Sequence, residues 1–244
     1  MVLAVGLLAS RGVTVAAVIL AATAESARAD VEGQPRVRRS GDAAWSGGAI
    51  PIVVVVPDPE GRVAAALAGA PVTLAEPASF EGGPAAQVAR GMDVAAAEVH
   101  ETEAAIVWPA RYVWISPETI TSLIEAHGVI ANRSLVLRPA FDGTAGWPAV
   151  LPVAHRERLD AIAADRMPDD ILADLVASGV ASGMLDVGDP GAAYDASTPR
   201  ANLPPYVGPA KPASGHAHEW GAAIADEPDD APIPGPAIAR LSDD

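Results

Sequence analysis

The run Val13–Ala22 (VTVAAVILAA) carries no charge, is rich in β-branched and small aliphatic residues, and ends in two alanines. Such a stretch reads as a strand buried on both faces, the position of a central strand in a parallel α/β sheet. Open α/β sheets hold their ligands just beyond the carboxyl ends of such strands. The turn Thr23–Asp30 (TAESARAD) is therefore the first place to look for a site.

The chain of 244 residues is long enough for one well-buried domain with length to spare. Half of it is hydrophobic but only 4% is aromatic, so the core must be built from small aliphatic side chains. A net charge of −15 argues against nucleic acid or an anionic membrane as a partner. With no cysteine, disulfides, thiolate nucleophiles and cysteine metal sites are excluded. That composition suits a cytoplasmic protein. A competing layout is a secretory signal: Arg11, then apolar residues 13–24, then Ala27-Arg28-Ala29 as a cleavage site. Against it, Met1–Ala9 is already apolar and the following run is β-branched rather than leucine-rich. Nothing else approaches the ~20 apolar residues of a membrane span.

Strand-like and helix-like segments then alternate, the pattern of a layered α/β fold. Strands are expected at Ile50–Pro57, Val72–Ala75, Ala104–Trp108, Ser134–Arg138, Gly146–Leu151 (edge-like, because of its proline) and Met184–Val187. Helices are expected from Gly33-Gln34-Pro35 to Trp45, at Glu60–Leu67, from Gly82-Gly83-Pro84 to about Val99, and from Ser116 to His127. Two more follow at Arg156–Ala164 and Asp169–Ala177. His100 and His127 fall at helix C-termini, where an imidazolium is favoured. Asp169-Asp170 complements a helix dipole. The chain divides into a lead (1–12), a domain (13–200) and an acidic, proline-rich tail (201–244) expected to be disordered. His216-Ala217-His218-Glu219 in that tail is a short candidate metal cluster. No Gly-x-Ser-x-Gly elbow is present.

Read in order, several short motifs resemble those of the MobA-like nucleotidyltransferases. Leu20-Ala21-Ala22-Thr23 resembles the family's Leu-Ala-Ala-Gly, and Gly33-Gln34-Pro35 its Gly-Gly-Arg-Pro turn. Ile52–Val56 matches its second strand, Glu81-Gly82 its Glu-Gly, and Ser116-Pro117-Glu118-Thr119 its Thr-Pro-Glu-Thr. Asp142-Gly143 and Gly146-Trp147-Pro148 resemble Asp-Gly and Gly-His-Pro. Asp189-Pro190-Gly191 and Asp195-Ala196-Ser197-Thr198-Pro199 resemble Asp-Pro-Gly and Asp-Ile-Asp-Thr-Pro. The resemblance implies a three-layer α/β/α fold with a mostly parallel, Rossmann-like sheet, of the nucleotide-diphospho-sugar transferase type. It also implies transfer of a nucleotide from CTP or GTP, with Mg²⁺, to a molybdopterin-type acceptor.

The same comparison implies that the chemistry has drifted. Thr23 replaces a glycine whose backbone freedom lets the chain approach phosphates. Arg28 stands one position away from the family's arginine. After the fourth strand, Ala110-Arg111-Tyr112-Val113 replaces Gly-Asp-x-Pro, so a guanidinium stands where a metal-binding carboxylate is expected. Asp195 remains as the implied metal ligand, but its partner is Ser197, and the Gly-His-Pro histidine is Trp147. Ala21, Ala22, Thr23 and Arg111 are the implied nucleotide contacts. Arg111 has two readings, a direct anion ligand or an ion pair with Asp195. Trp108, Trp114 and Trp147 either fill the old pocket or form a partner-binding surface. No catalytic residue and no bound cofactor is expected. The expected role is a binding or accessory subunit with a protein partner, in a molybdenum-enzyme system by analogy, and the alternative is an active Mg²⁺-dependent nucleotidyltransferase.

Overall fold

The first strand, β1 (Thr14–Leu20), is paired on both sides. It runs parallel to β4 (Ile52–Val55) on one side and to β6 (Thr102–Pro109) on the other. The computed structural model describes residues 14–208. Val15 to Ile19 are 2% exposed or less, as the uncharged, β-branched run requires. Beyond β4 lies β5 (Thr73–Ala75), and beyond β6 lie β9 (Ala149–Pro152), β7 (Val136–Phe141) and β10 (Ser182–Asp186). The two-residue strand β8 (Thr144–Ala145) pairs with β7.

The sheet is covered on both faces, giving the expected three layers. On one face α1 (Ala24–Arg28), α2 (Arg36–Ser46), α3 (Arg62–Ala66) and α5 (Pro117–Val129) pack through Ala27, Val37, Ala44, Val63, Ile120 and Leu123 onto Val15, Ala17 and Ile19. On the other, α4 (Gly83–Glu98) and α6 (Pro168–Ala177) place Val88, Met92, Ile171 and Leu175 on Ala16 and Val18. Alternate residues of β1 thus serve opposite cores. Gly91 lets α4 lie close to the sheet, because a Cβ there would collide with Val18.

Four features differ from expectation. The segment around Gly146–Leu151 is not an edge: β9 lies between β6 and β7 and is antiparallel to both. Its prolines, Pro148 just before the strand and Pro152 at its end, leave the interior amides free to pair. The region Arg156–Ala164 is not α-helical but a 3₁₀ segment, Val153–Ala161. Gly33-Gln34-Pro35 does not open α2 directly. It forms a small hairpin, β2 (Asp30–Val31) with β3 (Gln34–Pro35), whose turn residues Glu32 and Gly33 both have positive φ (54° and 83°). Of the expected tail, Ala201 and Asn202 complete the 3₁₀ turn Arg200–Asn202, and Val207 N–H donates to Gly188 O at 3.0 Å. The lead 1–12, the remaining tail and its His216–Glu219 cluster lie outside the described residues.

The fourth difference is His127. It does sit in the last turn of α5, but it is 1% exposed and neither ring nitrogen has a hydrogen-bond partner. Burial pushes its pKa below the ordinary 6.5, with Glu103 opposing and Arg133 adding to the shift. The ring is therefore neutral, not an imidazolium answering the dipole. Unfolding lets it take up a proton, so its stability contribution is full above pH 6.5 and is lost as pH falls below that value. His127→Leu, which removes two unpaired buried nitrogens, should raise stability by about 1–3 kcal/mol. Thermal melts between about pH 5 and 7 should show a flatter pH dependence in the variant.

Candidate functional site

Strand order locates the crevice before any side chain is considered. From β1 the chain moves outward to β4 and β5, and then β6 returns to the other side of β1. Such a reversal opens a cleft at the carboxyl ends of the two strands. Here the strands stay paired to the rim: Ala110 N–H donates to Leu20 O at 2.8 Å and Ala21 N–H to Val55 O at 3.2 Å.

The loop at this rim is closed on itself. Ala21 and Ala22 lead out of β1, and Thr23 caps α1. Its Oγ1 accepts from Ser26 N–H at 3.0 Å, while Ser26 Oγ accepts from Thr23 N–H at 3.3 Å and donates to Thr23 O at 3.0 Å. This reciprocal cap uses two amides that a phosphate cradle would leave open. Arg28 ends α1 and acts on Asp58, whose carboxylate caps α3 through Val63 N–H (2.9 Å) and Ala64 N–H (2.8 Å).

On the β6 side, Arg111 reaches two carboxylates without closing on either. Its Nε lies 3.7 Å from Asp195 Oδ2 and its Nη2 is 3.5 Å from Asp169 Oδ2. Nη2 also donates to Tyr112 Oη at 3.2 Å, and the guanidinium lies 5.0 Å from the Tyr112 ring. The Tyr112 bond raises the Arg111 pKa; burial offsets this in part, and Asp169 and Asp195 reinforce it. Asp169, read from the sequence only as a dipole partner, gathers Arg111, Arg138 Nη2 (3.3 Å) and Trp147 Nε1 (2.9 Å). Arg138 and Tyr112 were not singled out either. Their role depends on contacts across the sheet, although a charged residue inside the otherwise apolar β7 was a usable signal.

Asp195 is equally occupied. Its Oδ1 accepts from Ser197 N–H (2.9 Å) and Ser197 Oγ (2.6 Å), and the neighbouring Ala196 N–H donates to Arg111 O at 2.8 Å. Partial burial works to raise its pKa, but the Ser197 hydroxyl and amide, then Arg111 and Arg36, outweigh it and hold the carboxyl below its ordinary range. Trp114 Nε1 is bonded to Asp195 O (3.1 Å) and Thr198 O (3.0 Å), and Arg39 lies 5.1 Å from its ring. Trp108 and Trp147 are fully buried, whereas Trp114 is half-buried, so two of the three tryptophans are core and one is partly open.

The family-like motifs that survive do structural work. Buried Asp189 accepts from Ser116 N–H (2.9 Å), Thr119 Oγ1 (2.7 Å) and Gly191 N–H (2.8 Å), tying α5 to the segment that carries Asp195. A Cβ at Gly191 would strike the Trp114 carbonyl, and one at Gly146 the Ala192 carbonyl. Gly191→Ala should therefore cost about 1–3 kcal/mol by overpacking. Asp195→Asn, which removes a partly solvated and loose ion pair, should cost about 0–1 kcal/mol. Denaturant unfolding of the two variants measures the contrast.

Comparison with known proteins agrees with this layout. The family model of the MobA-like NTP transferase domain matches residues 17–179. A nucleotidyl transferase from Methanothermobacter thermautotrophicus superposes with TM-score 0.57 at 19% identity, covering 69% of this chain and 85% of that one. A 4-diphosphocytidyl-2C-methyl-D-erythritol synthase from Anaerococcus prevotii gives 0.59 at 14% identity, covering 77% and 92%. A Mycobacterium tuberculosis protein in complex with manganese gives 0.54 at 18%, covering 72% and 89%. At these identities the structural likeness speaks for the fold alone. A search of curated proteins finds no match.

Proposed function

The chain belongs to the MobA-like NTP transferase family, and on that premise we propose that it has kept the fold while losing metal-dependent nucleotidyl transfer. It then acts as a binding or accessory subunit with a protein partner, in the cytoplasm, and by analogy with its relatives in a molybdenum-enzyme system. The observation that carries this reading is Arg111. By the resemblance it stands at the position of the implied metal carboxylate, and it lies 3.7 Å from Asp195, the implied metal ligand that remains. A guanidinium repels a divalent cation and has no lone pair to give it. Asp195 Oδ1 is already engaged by Ser197, and among the described residues no three His, Cys, Asp or Glu side chains converge. These residues do not fit Mg²⁺. The self-capped Thr23–Ser26 turn supports the same reading on the phosphate side. Among the described residues no helix is long and apolar enough to cross a membrane.

The second reading is an active Mg²⁺-dependent cytidylyl- or guanylyltransferase. It draws on the names of the structural neighbours, one of them in complex with manganese. Thermal melts with CTP or GTP, with and without Mg²⁺, separate the two. A ligand present at about 100 times its dissociation constant adds ~2.7 kcal/mol. The proposal expects no Mg²⁺-dependent shift and no pyrophosphate release. A Mg²⁺-dependent shift accompanied by pyrophosphate release would establish the enzyme instead.

A further inference from the structure

The two rims of the sheet are finished differently. At one rim, β5 is three residues long and stands between Pro71 and Pro77, which hold it short and remove amides from pairing. At the other rim, β10 is five residues long, and no proline, lysine or arginine lies between Pro168 and Pro190. It pairs with β7 in unbroken parallel register, and among the described residues no strand lies on its other side. Edge strands are commonly kept from pairing with other chains by prolines, bulges, lysines or extreme shortness. β10 has none of these, and its one charge, Asp186, stands at its end.

The pairing with β7 shows which backbone groups of β10 are open. Val136 N–H donates to Ala181 O at 2.9 Å and Val187 N–H to Ala140 O at 3.2 Å, so the odd-numbered residues turn their polar backbone groups towards β7. Alternation along the strand turns those of Ser182, Met184 and Asp186 outward. Gly188 O, next on that side, accepts from Val207 N–H at 3.0 Å, which bounds the open stretch at Asp186. Ser182, Met184 and Asp186 are also exposed, Met184 at 61%, whereas Leu185 packs against the core on the α5 face. Met184 thus puts a flexible apolar side chain, of a type that adapts to a partner surface, at the centre of a bare edge.

We propose that β10 is a self-pairing edge: two copies of this chain join antiparallel about a two-fold axis at Met184, making one continuous sheet. The strand is complementary to its own reverse. With Met184 facing the partner's Met184, Ser182 faces the partner's Asp186, and each outward N–H meets an outward C=O. This is the one antiparallel register in which all three outward residues of each copy find a partner. No like charges oppose one another in it. The Asp186 carboxylate, whose Oδ1 accepts from Gly188 N–H at 3.2 Å, has the partner's Ser182 hydroxyl as its opposite number. On the other face Gly183, with no side chain, stands opposite the partner's Leu185, at a position where antiparallel pairs bring side chains closest. β7 and β9 separate β10 from β6, so the pairing does not depend on what the crevice binds.

Sedimentation equilibrium of the full chain, with hydrogen exchange followed by NMR, tests this. A monomer–dimer equilibrium is expected, in which the amides of Ser182, Met184 and Asp186 gain protection as concentration rises from low micromolar to near millimolar. Met184→Lys and Met184→Glu each set like charges face to face and should weaken dimerisation roughly fivefold or more. Because residue 184 is exposed, circular dichroism and the protection of β1 amides should stay unchanged in both. Mixing the two variants should restore association as a heterodimer, since Lys then faces Glu across the two-fold axis. Arg62→Gln, at an exposed pair with Glu60, should leave the dimer as it is. A monomer at every concentration overturns the proposal, whether the three amides exchange freely or are protected within the single chain. A dimer that both Met184 variants leave intact overturns it as well, and variants that stay apart on mixing overturn the register.

Discussion

Burial of β1 on both faces is the constraint from which the rest follows. A strand with cores on either side must be flanked by parallel partners and covered by two helical layers. β4 and β6 supply the pairing, and α2 and α4 with their neighbours supply the layers. The small side chains Ala16 and Ala17, with Gly91 opposite, bring those layers close to the sheet. With few aromatics available, close approach of small residues makes up most of the core, with Trp108 and Trp147 buried among them. The crevice is a by-product of the same arrangement, because the chain changes direction around β1.

Much of this was legible in the sequence because the signals are local. The uncharged run of β1, the Ser116-Pro117 start of α5 and the Gly83-Pro84 start of α4 each specify their element within a few residues. What was not legible depends on distant pairing. Pro148 suggested an edge, yet the proline-free centre of β9 pairs on both sides. The Glu32-Gly33 turn hides inside what looks like a helix entry. His127 carries the right residue type for a helix C-terminus but lies on the buried face of α5, where solvent does not reach. At the site, the resemblance left Arg111 as either an anion ligand or a partner of Asp195, and the two stand 3.7 Å apart as an open ion pair. The second carboxylate, Asp169, comes from 58 residues away and has no sequence signature beyond its place in a helix first turn.

The residues that carry the family resemblance divide by what they touch. Asp189, Gly146, Gly191, Ser116 and Thr119 all contact protein, and they hold segments of the fold at close range. Thr23, Arg111, Trp147 and Ser197 stand where the resemblance implies contacts to phosphate, metal or acceptor, and on the proposed reading these are the positions that have changed. A scaffold can be kept by packing alone, since its glycines and buried acid are satisfied within the chain. Charge at the crevice is free to reverse without disturbing them.

The bonds of Asp189 bear on motion as well as stability. Through Ser116 and Thr119 on one side and Gly191 on the other, one buried carboxylate welds the start of α5 to the strip of chain that carries Asp195 and supports Trp114. The far wall of the crevice is thereby part of the rigid body rather than a flap. A ligand entering it meets a surface already in its final shape, loses little to reordering, and must match that shape on arrival, as in a lock cut before its key.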